Sequence, residues 1–127
     1  MPLQFSTHYT REQARALLPD VRSWLDSLNK CADRIKALDS KVGDLVERGA
    51  DAGGRAVNDL IKSLVEWRTL LLQFHRREIQ LKDLRRGLVD FPSLREGREV
   101  FLCWEREEDD IEFWHDLETG YAGRERL

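Results

Sequence analysis

The apolar side chains Leu17, Val21, Trp24, Leu28, Cys31, Ile35, Leu38, Val42 and Leu45 recur at alternating steps of four and three. A strand repeats every second residue, so a mean step near 3.5 means one stripe along a long helix, of the kind that packs against another helix. Its start is marked. Thr10 followed three residues later by Gln13 fits a capping box, with Tyr9 placed to staple onto Ala14. Pro19 falls inside the pattern, where it removes a backbone donor, but Leu17 and Val21 stay in phase across it. The expectation is one helix over 10–47, kinked rather than broken.

A helix that long needs a partner, and the chain supplies one after a turn. Glu47 to Ala56 reads "ERGADAGGRA", rich in glycine and empty of large apolar side chains. Beyond it a second helix is predicted over 57–86, ending at Gly87 after the basic pair Arg85 and Arg86. It carries two stripes, Leu60, Leu64, Trp67, Leu71, Phe74, Leu81 and, beside them, Ile61, Val65, Leu72, Ile79. The period then changes to two. "EVFLCWE" alternates Val100, Leu102 and Trp104 with Phe101, Cys103 and Glu105, and "DIEFWHD" sets Ile111, Phe113 and His115 opposite Glu112, Trp114 and Asp116. This predicts a β-hairpin over 98–117 turning at Arg106 to Asp109, "LQFS" near the N-terminus as a possible third strand, and a loop or tail over 118–127. The fold class expected is α+β, mainly α. It is a single domain spanning 1–127, with a long antiparallel helical hairpin and a small C-terminal antiparallel β-hairpin.

A 30-residue helix is about 45 Å long, against a diameter of roughly 36 Å for a compact chain of this length. The helices should therefore overhang their own domain. Each also offers only one face to the other, which leaves a stripe uncovered, so a homodimer completing a four-helix bundle is expected. With 21 basic and 24 acidic residues interspersed, and a net charge of -3, there is no clustered basic face for nucleic acid. No apolar run approaches the roughly 20 residues that span a bilayer. Two cysteines without metal-like spacing, and a start lacking the features of a leader, lead to the expectation of a soluble cytoplasmic protein.

The segments "FSTHYTREQARALLP", "KDLRRGLVDFPSLREGREVFLCW" and "FWHDLETGYAGR" resemble the bacterial family known as domain of unknown function 2203. The resemblance implies a bacterial, cytoplasmic, helical protein and brings almost no function with it. It directs attention to Lys82, Asp83, Asp90, Arg98, Cys103, Trp104, Trp114, His115 and Arg124, the positions matching its motifs.

Read as chemistry, several of these and four further residues, His75, Glu78, Glu112 and Asp116, give three candidate groups. His115 lies on a strand face expected to carry Val100 and Leu102 across from it, where an imidazole tuned by Asp90 or Asp116 could serve as base or ligand. Glu112 and His115 spell Glu-x-x-His, which brings two ligands to one face only on a helix. His75 and Glu78, three apart on the second predicted helix, are the candidate ligands of a divalent metal; Glu78 falls on an apolar stripe, where a carboxylate needs a cation or a proton. Asp83, Asp90, Arg98 and Arg124 form the third group. Its arginines either fork onto Asp90 and Asp116 or clasp a small anionic ligand. Cys103 and Cys31 read as small apolar fillers. The leading expectation is a non-enzymatic homodimeric binding or regulatory module acting through its overhanging hairpin or its Trp-rich sheet face. The alternative is a small metal- or anion-binding enzyme or sensor with its site near His115 and Asp90.

Overall fold

Thr10 Oγ1 accepts the Gln13 N–H at 3.1 Å while Gln13 Oε1 accepts the Thr10 N–H at 2.9 Å, which completes the capping box. Tyr9 and Ala14 both enter the core, as a hydrophobic staple requires. From this start helix α1 (Arg11–Glu47) runs through Pro19 without interruption. The computed structural model describes residues 2–49 and 54–127, so 50–53, the centre of the predicted turn, lie outside the described residues. Helix α2 (Arg55–His75) follows, then strands β1 (Gln80–Asp83), β2 (Leu88–Arg95), β3 (Arg98–Glu105), β4 (Phe113–Asp116) and β5 (Glu125–Arg126), with a 3-10 turn at Tyr121–Gly123. The protein is α+β. The strands form one antiparallel sheet in the order β1-β2-β3-β4-β5.

The expected 57–86 helix is therefore corrected: it stops at His75, and the rest is turn and strand. The stop is a Schellman motif without glycine. Glu78 takes φ 58, Ile79 N–H reaches back to the Phe74 carbonyl at 3.1 Å, and Glu78 N–H bonds that of His75 at 3.0 Å. Phe74 and Ile79, both buried, make the hydrophobic contact that accompanies this cap. A glutamate in the left-handed region is held there by its own side chain: Oε1 accepts the N–H groups of Ser6 at 2.9 Å and Thr7 at 2.8 Å.

Gly87 does adopt positive φ, 70°, but it closes the β1–β2 turn through a 3.1 Å bond to the Leu84 carbonyl. The small hairpin is likewise only part of a larger sheet. β3 and β4 pair within the expected 98–117 segment, but β1 and β2 precede them and β5 follows in what was expected to be tail. "LQFS" is not a strand. Its Gln4 and Phe5 N–H groups are satisfied by the Glu99 carboxylate instead, at 2.7 and 2.9 Å. Pro92 fits inside β2 because its carbonyl, and hence its absent N–H, points away from β3 toward Tyr9, whose N–H takes that carbonyl at 2.7 Å.

Strand alternation divides the sheet into two faces. On the inner face Val89 pairs with Trp104, and Leu102 with both Phe91 and Trp114; these join Leu18, Val21, Leu25 and Leu28 of α1 in one core. Trp104 is fully buried and Trp114 nearly so, so the Trp-rich face expected to bind a partner is instead the floor beneath α1. Leu18 and Leu25, outside the sequence stripe, are buried here, because α1 serves two neighbours along its length. Toward α2 it offers Trp24, edge-on to Phe74, and Cys31, whose thiol donates to the Ser63 carbonyl at 3.2 Å. Beyond Cys31 no residue of α1 is fully buried.

Candidate functional site

On the outer face of the sheet, Asp90 stands directly opposite Cys103, Phe101 opposite His115, and Cys103 opposite Phe113. The register thus puts His115 across from Phe101 rather than from Val100 and Leu102, and it brings together three side chains that sequence spacing leaves 13 and 12 residues apart. His115 Nδ1 donates to the Asp116 carbonyl at 2.6 Å, and Nε2 lies 3.0 Å from Asp90 Oδ2. Because a carbonyl only accepts, Nδ1 carries a proton, which turns Nε2 toward the carboxylate. Asp90, Cys103 and His115 are all buried, with one potential ligand atom from each within 4.8 Å of the others. Asp90 Oδ1 has no hydrogen-bond partner among the described residues.

Burial disfavours a charged imidazole, but the hydrogen bond and charge of Asp90, with help from Cys103 and the Asp116 carbonyl, prevail and raise the His115 pKa to about 10. A cleft of about 290 Å³ opens onto these three residues, with Lys82, Glu118 and Tyr121 among its other walls. Chemically the arrangement offers a carboxylate, a thiol and an imidazole on one concave surface.

The remaining candidates take other places. Asp83 Oδ1 accepts the Arg86 N–H at 3.1 Å and shapes the β1–β2 turn. Arg98 forms an exposed pair with Asp116 at 3.1 Å, one of the expected forks. Arg124 does not reach for Asp90; its guanidinium grips Glu108 at 2.8 and 3.2 Å and sets Nη1 3.9 Å from Cys103 Sγ. The same guanidinium lies over the rings of Phe113 and Tyr121. The His75 and Glu78 metal pair loses its premise, because Glu78 lies beyond the helix end with its carboxylate on the Ser6 and Thr7 amides, while His75 is exposed. Glu112 and His115 do not share a helix either, since the segment leads into β4.

Cys103 and Glu108 hold the site's surroundings. Cys103, one of the family-motif positions but by its neighbours a small apolar filler, becomes a neighbour of Asp90 through the β2–β3 register. Glu108 is a junction in the acidic turn. Its carboxylate accepts the Glu105 N–H at 2.7 Å besides Arg124, and its carbonyl accepts Trp104 Nε1 and Arg22 Nη2, each at 2.9 Å. Asp110, two residues on, takes Arg15 at 2.7 and 2.9 Å; that contact comes first among the causes holding its carboxyl below the usual range.

A family model described as an uncharacterized conserved protein (DUF2203) matches residues 7–127. Neither a search of curated proteins nor one of solved structures returns a match.

Proposed function

We propose that this chain, which belongs to the DUF2203 family of uncharacterized conserved proteins, works as a non-enzymatic homodimeric helical module with a binding or regulatory role. The observation that carries the reading is on α2. Ile61, Leu64 and Val65 are 54, 47 and 61% exposed and neighbour one another on one helical face, which Leu72 continues. Large apolar side chains scattered singly need no explanation, whereas three gathered on one face at i, i+3 and i+4 are the mark of an interaction surface. In this reading α1 and α2 form an antiparallel pair with one side bare, and a second copy docks across a two-fold axis to complete a four-helix bundle. Since each is already about half covered, burying the rest would contribute roughly half of the 1.5–3 kcal/mol of a full side chain, counted on both copies.

The described helices contain no segment long and apolar enough to cross a membrane. Both cysteines are buried and free, which fits a reducing cytoplasm. Size-exclusion chromatography with light scattering tests the proposal. A mass of two chains is expected, falling to one in the double variant Leu64→Asp and Val65→Asp while the far-ultraviolet circular dichroism stays unchanged. A wild-type mass of one chain at high concentration would sink it.

A further inference from the structure

We infer that Asp90, Cys103 and His115 form a binding site for one divalent transition-metal ion of the zinc type, independent of the helical dimer. Three observations converge on it. First, the donors are carboxylate oxygen, thiolate sulfur and imidazole nitrogen, the set such an ion selects, and their atoms lie within 4.8 Å of one another. Metal–ligand bonds of about 2.0–2.3 Å imply donors about 3.3–3.7 Å apart, so side-chain rotations closing the cluster by about 1 Å complete the shell. Second, Asp90 is only 2% exposed and its Oδ1 finds no hydrogen-bond partner among the described residues; it is the buried side-chain acceptor left open there, the other unpartnered atom, Arg11 Nε, being a donor. Third, His115 donates Nδ1–H to the Asp116 carbonyl at 2.6 Å. A metal-binding histidine characteristically uses its second nitrogen in this way to fix the ring and present Nε2 to the ion.

Binding is coupled to proton release. The ion takes Cys103 as thiolate and His115 through an unprotonated Nε2, so a proton on either atom leaves to solvent as it enters. The Arg124 guanidinium, 3.9 Å from Cys103 Sγ, places a cation beside the sulfur anion. Three protein ligands leave a fourth tetrahedral position to water or a small anion, and the cleft walled by Lys82 and Glu118 supplies the way in.

The test uses the full chain purified without a polyhistidine tag and stripped with a chelator, titrated with cobalt(II). One equivalent per chain is expected to produce a near-ultraviolet thiolate-to-cobalt charge-transfer band with the visible bands of a four-coordinate ion, both erased by zinc. Cys103→Ser removes the charge-transfer band, Cys31→Ser keeps it, and Asp90→Asn weakens binding 10-fold or more. Absence of the band in the folded wild-type chain overturns the inference without reference to any variant. So does a band that survives Cys103→Ser, which would place the ion on Cys31.

Discussion

His115 Nε2 stands 3.0 Å from Asp90 Oδ2 in a pair that is almost wholly withdrawn from solvent. The partners come from strands that do not touch each other: β3 lies between them, and the two side chains meet over its outer face. Three strands of the meander are thereby tied by one contact.

That contact has a pH signature. The folded His115 pKa, about 10, is above the ordinary 6.5, so the stabilisation is fully present below pH 6.5 and is lost as pH rises toward 10. Cys103 and the Asp116 carbonyl also face the ring, and Lys82 and Glu118 line the cleft beside it. In chelator-treated protein the urea midpoint is expected to fall across this window, and Asp90→Ala should flatten the slope. Removing one partner of a buried pair also costs about 3–5 kcal/mol, measured at neutral pH. A midpoint indifferent to pH between 6.5 and 10 would contradict the charged pair.

Glu78 gives a second, sharper comparison. Substitution by alanine keeps a Cβ in the left-handed region and discards the acceptor of the Ser6 and Thr7 amides. Glycine discards the acceptor but removes the steric penalty, which is about 1–2 kcal/mol for a residue with a Cβ. Glu78→Ala is therefore expected to be less stable than Glu78→Gly by about that amount. Both should admit protease more readily at residues 3–8. Equal urea midpoints for the two variants would mean that the backbone there is unstrained.

Gly87 and Gly97 separate strain from collision. Both have positive φ, 70 and 77°, but a Cβ on Gly87 would lie 2.5 Å from the Arg106 Cβ, whereas one on Gly97 meets nothing within 4 Å. Gly97→Ala should cost about 1–2 kcal/mol from conformation alone. Gly87→Ala adds overpacking of about 1–3 kcal/mol and loosens the turn that Arg106 begins. Thermal melts of the two variants are expected to rank in that order, and the reverse order would contradict the close approach of the two turns.

Much of this molecule is legible from residue order, but only where one local signal governs. Thr10 and Gln13 announce the helix start because the capping bonds are made within four residues. The period-two pattern of Val100, Leu102 and Trp104 identifies a strand because alternation is a local consequence of the pleat. The end of α2 escaped because it has no glycine or proline: Glu78 is held in the left-handed region by amides some 70 residues away in sequence. "LVDFPSLR" carries Pro92 in its middle, which argues against a strand paired on both sides, so its pairing with the next strand is not legible. The opposition of Asp90 and Cys103 was then invisible, and so was any meaning for the cysteine. Asp90 and His115 drew notice singly, for being polar among apolar neighbours, but their meeting depends on register, which only pairing across strands defines.

The ties between α1 and the loop after β3 carry one last implication. Arg11 and Arg15 hold Asp110, Arg22 holds the carbonyls of residues 106 and 108, and Asp26 holds the Arg106 side chain. Counted along the helix these are successive rungs, all engaging three residues, 106, 108 and 110, of one loop. A slide of one turn, about 5.4 Å, would leave Asp110 with one arginine, Arg11 and Arg15 changing places on it, while Arg22 and Asp26 would leave residues 106 and 108 together. The acidic turn therefore works as a ratchet pawl, and the far end of the long helix is indexed to the sheet through it.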